Sequence, residues 1–304
     1  MGMLFGARLR RSGVDVAILH RTASDVAYVE EHGVHVEDAD GSWQVRVPIS
    51  TDARALGDAD LVIVFTKAYD TEAGTRNALP CALPSAAFLT LQNGLGNWQK
   101  IAGIVGAERV LAGATSQGAT RVRPGHVRHA GQGPTQLGCP AGALAQRAGE
   151  AAALLTRAGI PTEVVQDVEA VVWSKLVLSA AINPLTVLAA GPNGDLVAKA
   201  PLRRLLNAVA REAAEVARGR AIRLLWSDPA DEAAAVCQRT RDNVSSMLQD
   251  VLAGRRTEID EINGALCSEA RRVGVPVPLN EALTRLVREG LASGGEPSAA
   301  HCGG

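Results

Sequence analysis

Three polar side chains share one face of an otherwise apolar stretch, VEAVVWSKLVLSAAINPLTVLAA, because Lys175, Ser179 and Asn183 follow one another at i, i+4 and i+8. Lys175 is the only cation there. Alone, it reads as a lysine that snorkels to solvent beside two helix-internal hydrogen-bonders. With Ser179, Asn183, Pro184 and Asn193 on the same segment, the pattern fits a desolvated, donor-rich face instead. That is the setting in which a lysine is tuned for general-acid work.

A second constellation lies in NVSSMLQDVLAGRRTEIDEING. Ser245-Ser246 can cap a short helix that Gly254 ends, and Thr257 can open another in a T-x-x-D capping box with Asp260. Two helix N-termini then fall within one short segment. Free N–H groups and the positive dipole end place Ser246 to hold a carboxylate, and the same field keeps Glu258 ionised. On helix grammar alone, plain capping is the better reading of Ser246 and Glu258.

Three further groups follow apolar runs in the first half: His20-Arg21, Thr66-Lys67 and Gln92-Asn93-Gly94. Ligands of doubly wound sheets bind at such strand ends. Asn93-Gly94 alone is a plain turn, and Lys67 alone a solvated lysine. Arg21 carries more information. A ribose with a free 2′-hydroxyl meets an acid at this position, whereas a 2′-phosphate calls for a cation, so Arg21 favours NADP(H) over NAD(H).

The elements that must position these residues are legible in outline. A helix begins at Gly2, with Leu4, Phe5 and Leu9 apolar and Ser12-Gly13 as its stop, and Val14 to Leu19 reads as a strand. The runs Leu61–Thr66, Ala87–Leu91 and Val110–Gly113 read as strands buried on both faces, with Ser24–His32 and Trp98–Val105 as helical crossovers. Val34–Pro48 and Ala119–Leu137 alternate more and suggest hairpins. Near Pro161–Asp167 the pattern changes to long helical periods. The expected organisation is a cofactor domain over 1–166, an all-helical domain over 167–291, and a small, polar, disordered tail over 292–304.

Composition narrows the classes. The chain has 304 residues, 47% of them hydrophobic, with 31 Lys plus Arg against 32 Asp plus Glu. That balance disfavours nucleic acid and anionic membranes. No uninterrupted apolar run reaches a membrane span, and Arg8, Arg10 and Arg11 break any signal-peptide layout. Five scattered cysteines without a CxxC fit a reducing cytoplasm. His32/His35 and His126/His129 sit in polar, turn-like stretches outside any ligand motif, so no metal is expected.

With these residues placed, the sequence resembles the ketopantoate reductase family (2-dehydropantoate 2-reductase) to about residue 290. The matching stretches are LFGARL, FTKAYDTEA, LTLQNGLGN, GATRVRPGHVRHAG, WSKLVLSAAINPLT, GPNGDL and NVSSMLQDVLAGRRTEIDEING. The resemblance implies an α/β fold, a Rossmann-type doubly wound sheet followed by a helical domain with the active site between them. It also implies NADPH-dependent reduction of 2-dehydropantoate to pantoate in pantothenate and coenzyme A synthesis. Position by position, Lys175 matches the general acid and Asn93 the loop asparagine near nicotinamide and substrate. Gly2, Lys67 and Ala119 match cofactor-side positions, and Asn183 and Asn193 substrate-side asparagines. Ser246 matches the carboxylate binder, and Glu258 the acid that holds substrate hydroxyl and cofactor. The implied partner is a small 2-keto acid, and a homodimer stays open.

Two positions depart from the family pattern. Ser179 stands where the family has Asn, near the substrate. Of the opening strand and GxGxxG turn, only the last glycine, Gly2, is present, so about ten residues, one strand and its turn, are expected upstream of Met1. Without that strand, the strands at Val14 and Leu61 lose a shared neighbour. The alternatives are a paralogous reductase of another small 2-keto acid, a catalytically impaired remnant, and a 3-hydroxyacid dehydrogenase, against which the TEID and NGLGN stretches speak.

Overall fold

A computed structural model describes residues 1–292; the segment 293–304, most of the expected tail, lies outside the described residues, while Ala292 ends the last helix. Two compact units divide after Val172, inside a long helix. The first contains α1 (Gly2–Arg11), β1 (Ile18–Leu19), α2 (Ala23–His32), β2 (Val34–Asp38), β3 (Gly41–Val45), β4 (Ile49–Ser50), β5 (Ala59–Val64) and α3 (Thr71–Ala78). It continues with β6 (Ala82–Thr90), α4 (Asn97–Val105), β7 (Val110–Thr115), β8 (Gly118–Arg123), β9 (His126–Gly131), β10 (Thr135–Gly138), α5 (Ala145–Arg157) and β11 (Thr162–Val164).

A five-stranded sheet of order β11-β10-β7-β6-β5 is parallel except between β10 and β7. Alternation along β6 shows why it is covered on both sides. Ala87 and Leu89 pack with Phe5, Leu9 and Leu155 of α1 and α5, while Ala86 and Phe88 pack with Ile101 and Val105 of α4. The other flank of α1 buries Met3, Leu4 and Ala7 against Val34 and Val36 of a second sheet, β3-β2-β9-β8. So α1 is buried on two faces, and Met3, Leu4, Phe5, Ala7 and Leu9 are all core.

The strand expected over Val14–Leu19 is shorter: only Ile18 and Leu19 enter a ladder, pairing in parallel with Ile49 and Ser50. Val14 and Val16 are partly buried on the core without a ladder. β1 pairs with β4 and β5 with β6, so these two strands lie in different sheets. The histidines expected in turns lie on regular elements: His32 ends α2, His35 is in β2, and His126 and His129 are in β9. On β2, His35 and Glu37 lie partly exposed, alternating with the buried Val34 and Val36, whereas His126 on β9 is itself buried.

The second unit is helical, with α6 (Val168–Ala189, begun in the first unit), α7 (Asp195–Ala198), α8 (Ala200–Gly219), α9 (Pro229–Arg239) and α10 (Ser246–Leu252). A π turn over Asp260–Gly264 runs into α11 (Ala265–Val273), and α12 (Pro278–Ala292) closes the described chain. Its core joins Ala181, Leu185, Leu196, Leu206, Val209 and Leu283. By length and composition α6 could cross a membrane, but 72% of its most apolar window is buried inside the protein, as in a core helix.

Candidate active site

In the first unit the loops after β1, β5 and β6 form one hydrogen-bonded cluster. Arg21, exposed after β1, bonds Asp70 at 3.0 Å, and Asp70 belongs to the turn that Lys67 opens after β5. Gln92, after β6, donates Nε2 to the Thr66 carbonyl at 2.7 Å and to Thr71 Oγ1 at 3.0 Å. Thr71 Oγ1 in turn donates to Asn97 Oδ1 at 3.0 Å, and Asn97 Nδ2 donates to the Asn93 carbonyl at 2.8 Å. Lys100 Nζ donates to the Ala68 carbonyl at 3.0 Å. Arg21, Lys67 and Asn93 are thus tied into one strand-end platform. Asp70, Thr71 and Asn97 do the tying, and sequence reasoning missed them because each reads as an ordinary helix-start or turn residue.

Gly2 and Ala119 take different places. Gly2 is the first residue of α1, and a Cβ there would meet Phe65 Cβ at an ordinary 3.8 Å, so none of the described residues demands glycine. At the same end, the Met1 amine is lowered to about 6, first by burial and then by repulsion from Lys67. Ala119 lies on β8 in the second sheet, packed against the Val34 and Val36 core.

In the second unit α6 presents the expected polar face. Ser179 and Asn183 are buried, and Lys175 is half-buried with no hydrogen bond or ion pair among the described residues. Burial pushes its amine below the ordinary lysine value. The far end of α6 is anchored: Thr186 Oγ1 donates to the Asn183 carbonyl at 2.7 Å and lies 2.6 Å from Ser245 Oγ. Ser245 Oγ also accepts from Leu248 N at 3.1 Å, so Ser245 is the cap of α10. Ser246, the next residue, is exposed at the first helical position. The cap is therefore Ser245, and Ser246 takes no part in capping α10.

The GPNG turn after α6 is stitched to the same region. Asn193 N donates to the Asn243 carbonyl at 3.0 Å, Gly194 N to the Arg241 carbonyl at 2.9 Å, and Asn193 Nδ2 to Thr240 Oγ1 at 2.8 Å. A Cβ at Gly194 would sit 2.9 Å from the Arg241 oxygen, so this approach needs glycine. Asn193 Oδ1 is buried without a protein partner among the described residues. Glu258 is buried two residues before the π turn. The expected capping box is not formed: Thr257 Oγ1 reaches Ile259 N only at 3.5 Å, and Asp260 bonds Arg288. The chain widens to i→i−5 pairing there, with Gly264 N donating to the Ile259 carbonyl at 2.9 Å.

Parallel pairing of β2 and β9 sets His35 opposite His126, with Glu37 two residues on, and ligand atoms of all three lie within 4.8 Å of one another. Two guanidinium groups already hold them. Arg128 Nε donates to Glu37 Oε2 at 2.8 Å and Arg123 Nε to His126 Nδ1 at 3.3 Å. A divalent cation would have to displace or face both positive charges, so the group reads as a charge ladder on a strand face.

The comparisons agree with this geometry. The family described as ketopantoate reductase PanE/ApbA matches residues 1–142, and its C-terminal part matches 167–291. The 2-dehydropantoate 2-reductase of Halobacterium salinarum (strain ATCC 700922 / JCM 11081 / NRC-1) is 38% identical over 289 residues, covering 95% of this chain and 95% of that protein. Among solved structures, the PanE/ApbA family ketopantoate reductase from Ralstonia eutropha JMP134 superposes with a TM-score of 0.85 at 31% identity, covering 95% and 94%. A ternary structure of D-mandelate dehydrogenase with NADH and anilino(oxo)acetate gives a TM-score of 0.88 at 26% identity, covering 95% and 94%. A lysine-bearing apolar helix, a strand-end platform and matches along nearly the whole chain therefore converge, and the chain belongs to the ketopantoate reductase family of oxidoreductases.

Proposed function

We propose that this protein reduces 2-dehydropantoate to pantoate with NADPH, in the cytoplasm, as a step of pantothenate and coenzyme A synthesis. The observation that carries the reading is Lys175: a half-buried amine, lowered by desolvation, without a counter-ion among the described residues, beside Ser179 and Asn183. The first unit fits a phosphate-bearing cofactor. The N-terminal end of α1, Lys67 and Arg21 put positive charge at one edge, and Lys67 is close enough to the Met1 amine to help burial lower it. Arg21 would hold the 2′-phosphate, Gly2 and Lys67 the pyrophosphate side, and Ala119, Asn93 and Glu258 the remaining cofactor contacts.

When bound, the dihydronicotinamide supplies a hydride to the ketone carbon. Lys175, as ammonium, gives a proton to the carbonyl oxygen, so the ketone becomes a hydroxyl and the amine recovers its proton from water. Ser246, exposed at the first helical position of α10, receives the substrate carboxylate. Glu258 accepts from the substrate hydroxyl, and Asn183, Asn193 and Ser179 orient the chain; the orphaned Asn193 Oδ1 is an acceptor suited to such a hydroxyl. Purified protein should turn over 2-dehydropantoate faster with NADPH than with NADH, and Lys175→Ala should abolish most of it. Unchanged activity in that variant removes Lys175 from the mechanism.

Ser179 favours one second reading, a reductase of another 2-keto acid with an aromatic or bulkier tail, since serine leaves space where an amide would stand. The D-mandelate dehydrogenase neighbour holds NADH and a 2-oxo acid of that kind. Relative kcat/KM for 2-dehydropantoate and phenylglyoxylate, each with both nicotinamides, decides between them.

A further inference from the structure

Pro184 sits inside α6, one residue after Asn183. It has no N–H to donate to the carbonyl four residues earlier, which is that of Ala180, next to Ser179. Ala180 is completely buried, so water cannot take the vacant place. The donor comes from 83 residues away: Asn263 Nδ2 reaches the Ala180 oxygen at 2.9 Å. Asn263 is itself fully buried and lies in the π turn that begins two residues after Glu258. Its other amide hydrogen goes to Asn280 Oδ1 at 3.1 Å. Asn280 Nδ2 continues to Glu212 Oε2 at 2.9 Å, and Glu212 accepts from Leu279 N and Asn280 N, both at 3.1 Å, at the start of α12.

Two features make this more than the repair of one orphaned carbonyl. Both Nδ2 hydrogens face acceptors, so the amide is held in one orientation; turned over, its oxygen would oppose two oxygens. The π turn adds a residue between Glu258 and α11, which re-aims every following side chain by about a third of a turn relative to a regular helix. Asn263 points at Ala180 because of it. We propose that Asn263 is a positioning residue: its amide replaces the backbone donor that Pro184 removes, and so sets the Lys175–Ser179–Asn183 face of α6 against the segment that carries Glu258. This rests on the proposed reduction for its activity readout, though not for its structural one.

The test uses the full chain and three variants: Asn263→Ala, Pro184→Ala and the double variant. Pro184→Ala restores a backbone N–H for Ala180, so the double variant has that carbonyl satisfied but lacks the link to the Glu258 segment. Expected for Asn263→Ala is a fall in kcat of roughly 10- to 100-fold, the size of a misplacement near 1 Å. The double variant regains thermal stability and does not regain kcat. Full recovery of kcat on adding Pro184→Ala, or wild-type kcat in Asn263→Ala, overturns the proposal. If Asn263→Ala does not fold, the double variant alone decides, by the same criterion.

A second readout needs no substrate. The chain has only four lysines, Lys67, Lys100, Lys175 and Lys199, so 13C-labelled lysine resonances can be assigned by substitution. The Lys175 titration should shift in both Asn263 variants while those of Lys67, Lys100 and Lys199 stay put; an unmoved Lys175 overturns the proposal. Should wild-type protein ignore 2-dehydropantoate, the substrate reading fails while this titration still judges Asn263.

Discussion

Replacing Lys175 by methionine pulls activity and stability in opposite directions, and both can be sized. Methionine keeps most of the side-chain length and loses the amine. If that amine donates the proton, turnover falls by the ~10²- to 10⁴-fold that a positioned acid contributes, about 2.7–5.5 kcal/mol in the barrier. Stability moves the other way. Burial lowers the Lys175 pKa in the folded state from its ordinary 10.5. Below the lowered value both states are protonated, and the fold carries the whole penalty, about 1.4 kcal/mol for each unit of lowering. Between the lowered value and 10.5 the unfolded chain binds the extra proton, so stability rises with pH through that window. Methionine removes the penalty at every pH, and each kcal/mol recovered raises Tm by about 2–4 °C. Steady-state turnover followed by nicotinamide absorbance, with thermal melts from neutral to alkaline pH, measures both. In the wild type kcat should fall as pH rises through the lowered pKa, because the donor is the protonated form. A methionine variant that keeps turnover within a few-fold, or that melts below the wild type at neutral pH, refutes the reasoning.

Three further outcomes follow from the same geometry. Arg21→Ala should raise KM for NADPH and leave KM for NADH nearly unchanged, with stability altered by less than about 1 kcal/mol because the Asp70 pair is exposed; equal effects on both cofactors would remove Arg21 from 2′-phosphate recognition. Ser245→Ala should destabilise by about 2 kcal/mol in urea denaturation, roughly 1 from the cap and 1 from the Thr186 bond. Ser246→Ala should leave stability within about 0.5 kcal/mol, as an exposed surface change does, and raise KM for the keto acid; the reverse ranking of the two serines would overturn their assignment.

Much of the fold follows from local pattern. The helices at Gly2, Ala23 and Asn97 and the apolar strands were legible because periodicity and stop signals agree there. The β2–β3 hairpin was legible from alternation. Val14–Ala17 was not: its residues have strand propensity, but a ladder needs a neighbour, and only Ile18 and Leu19 have one. The histidines misled for a similar reason. Spacing grouped His32 with His35 and His126 with His129, whereas sheet register sets His35 beside His126 and leaves His129 on the Arg8 and Gln117 side.

The candidate site divides along the same line. Lys175, Ser179 and Asn183 were legible because one helix carries all three, and helical spacing alone puts them on a face. Thr186 and Asn263 were illegible because their work depends on partners 59 and 83 residues away. Pro184 was visible all along, and what it implies is general: a proline inside a buried helix removes a donor, so some other group must bond the carbonyl four residues before it. What the sequence could not supply was the donor's address, since the π turn that aims Asn263 contradicts the T-x-x-D helix start that Thr257 and Asp260 advertise. Local grammar at residues 257–264 gave way to a tertiary demand at Ala180, and such conflicts between local preference and observed structure collect at functional sites. The misread turn and the polar face of α6 are therefore one feature, joined by a single 2.9 Å hydrogen bond.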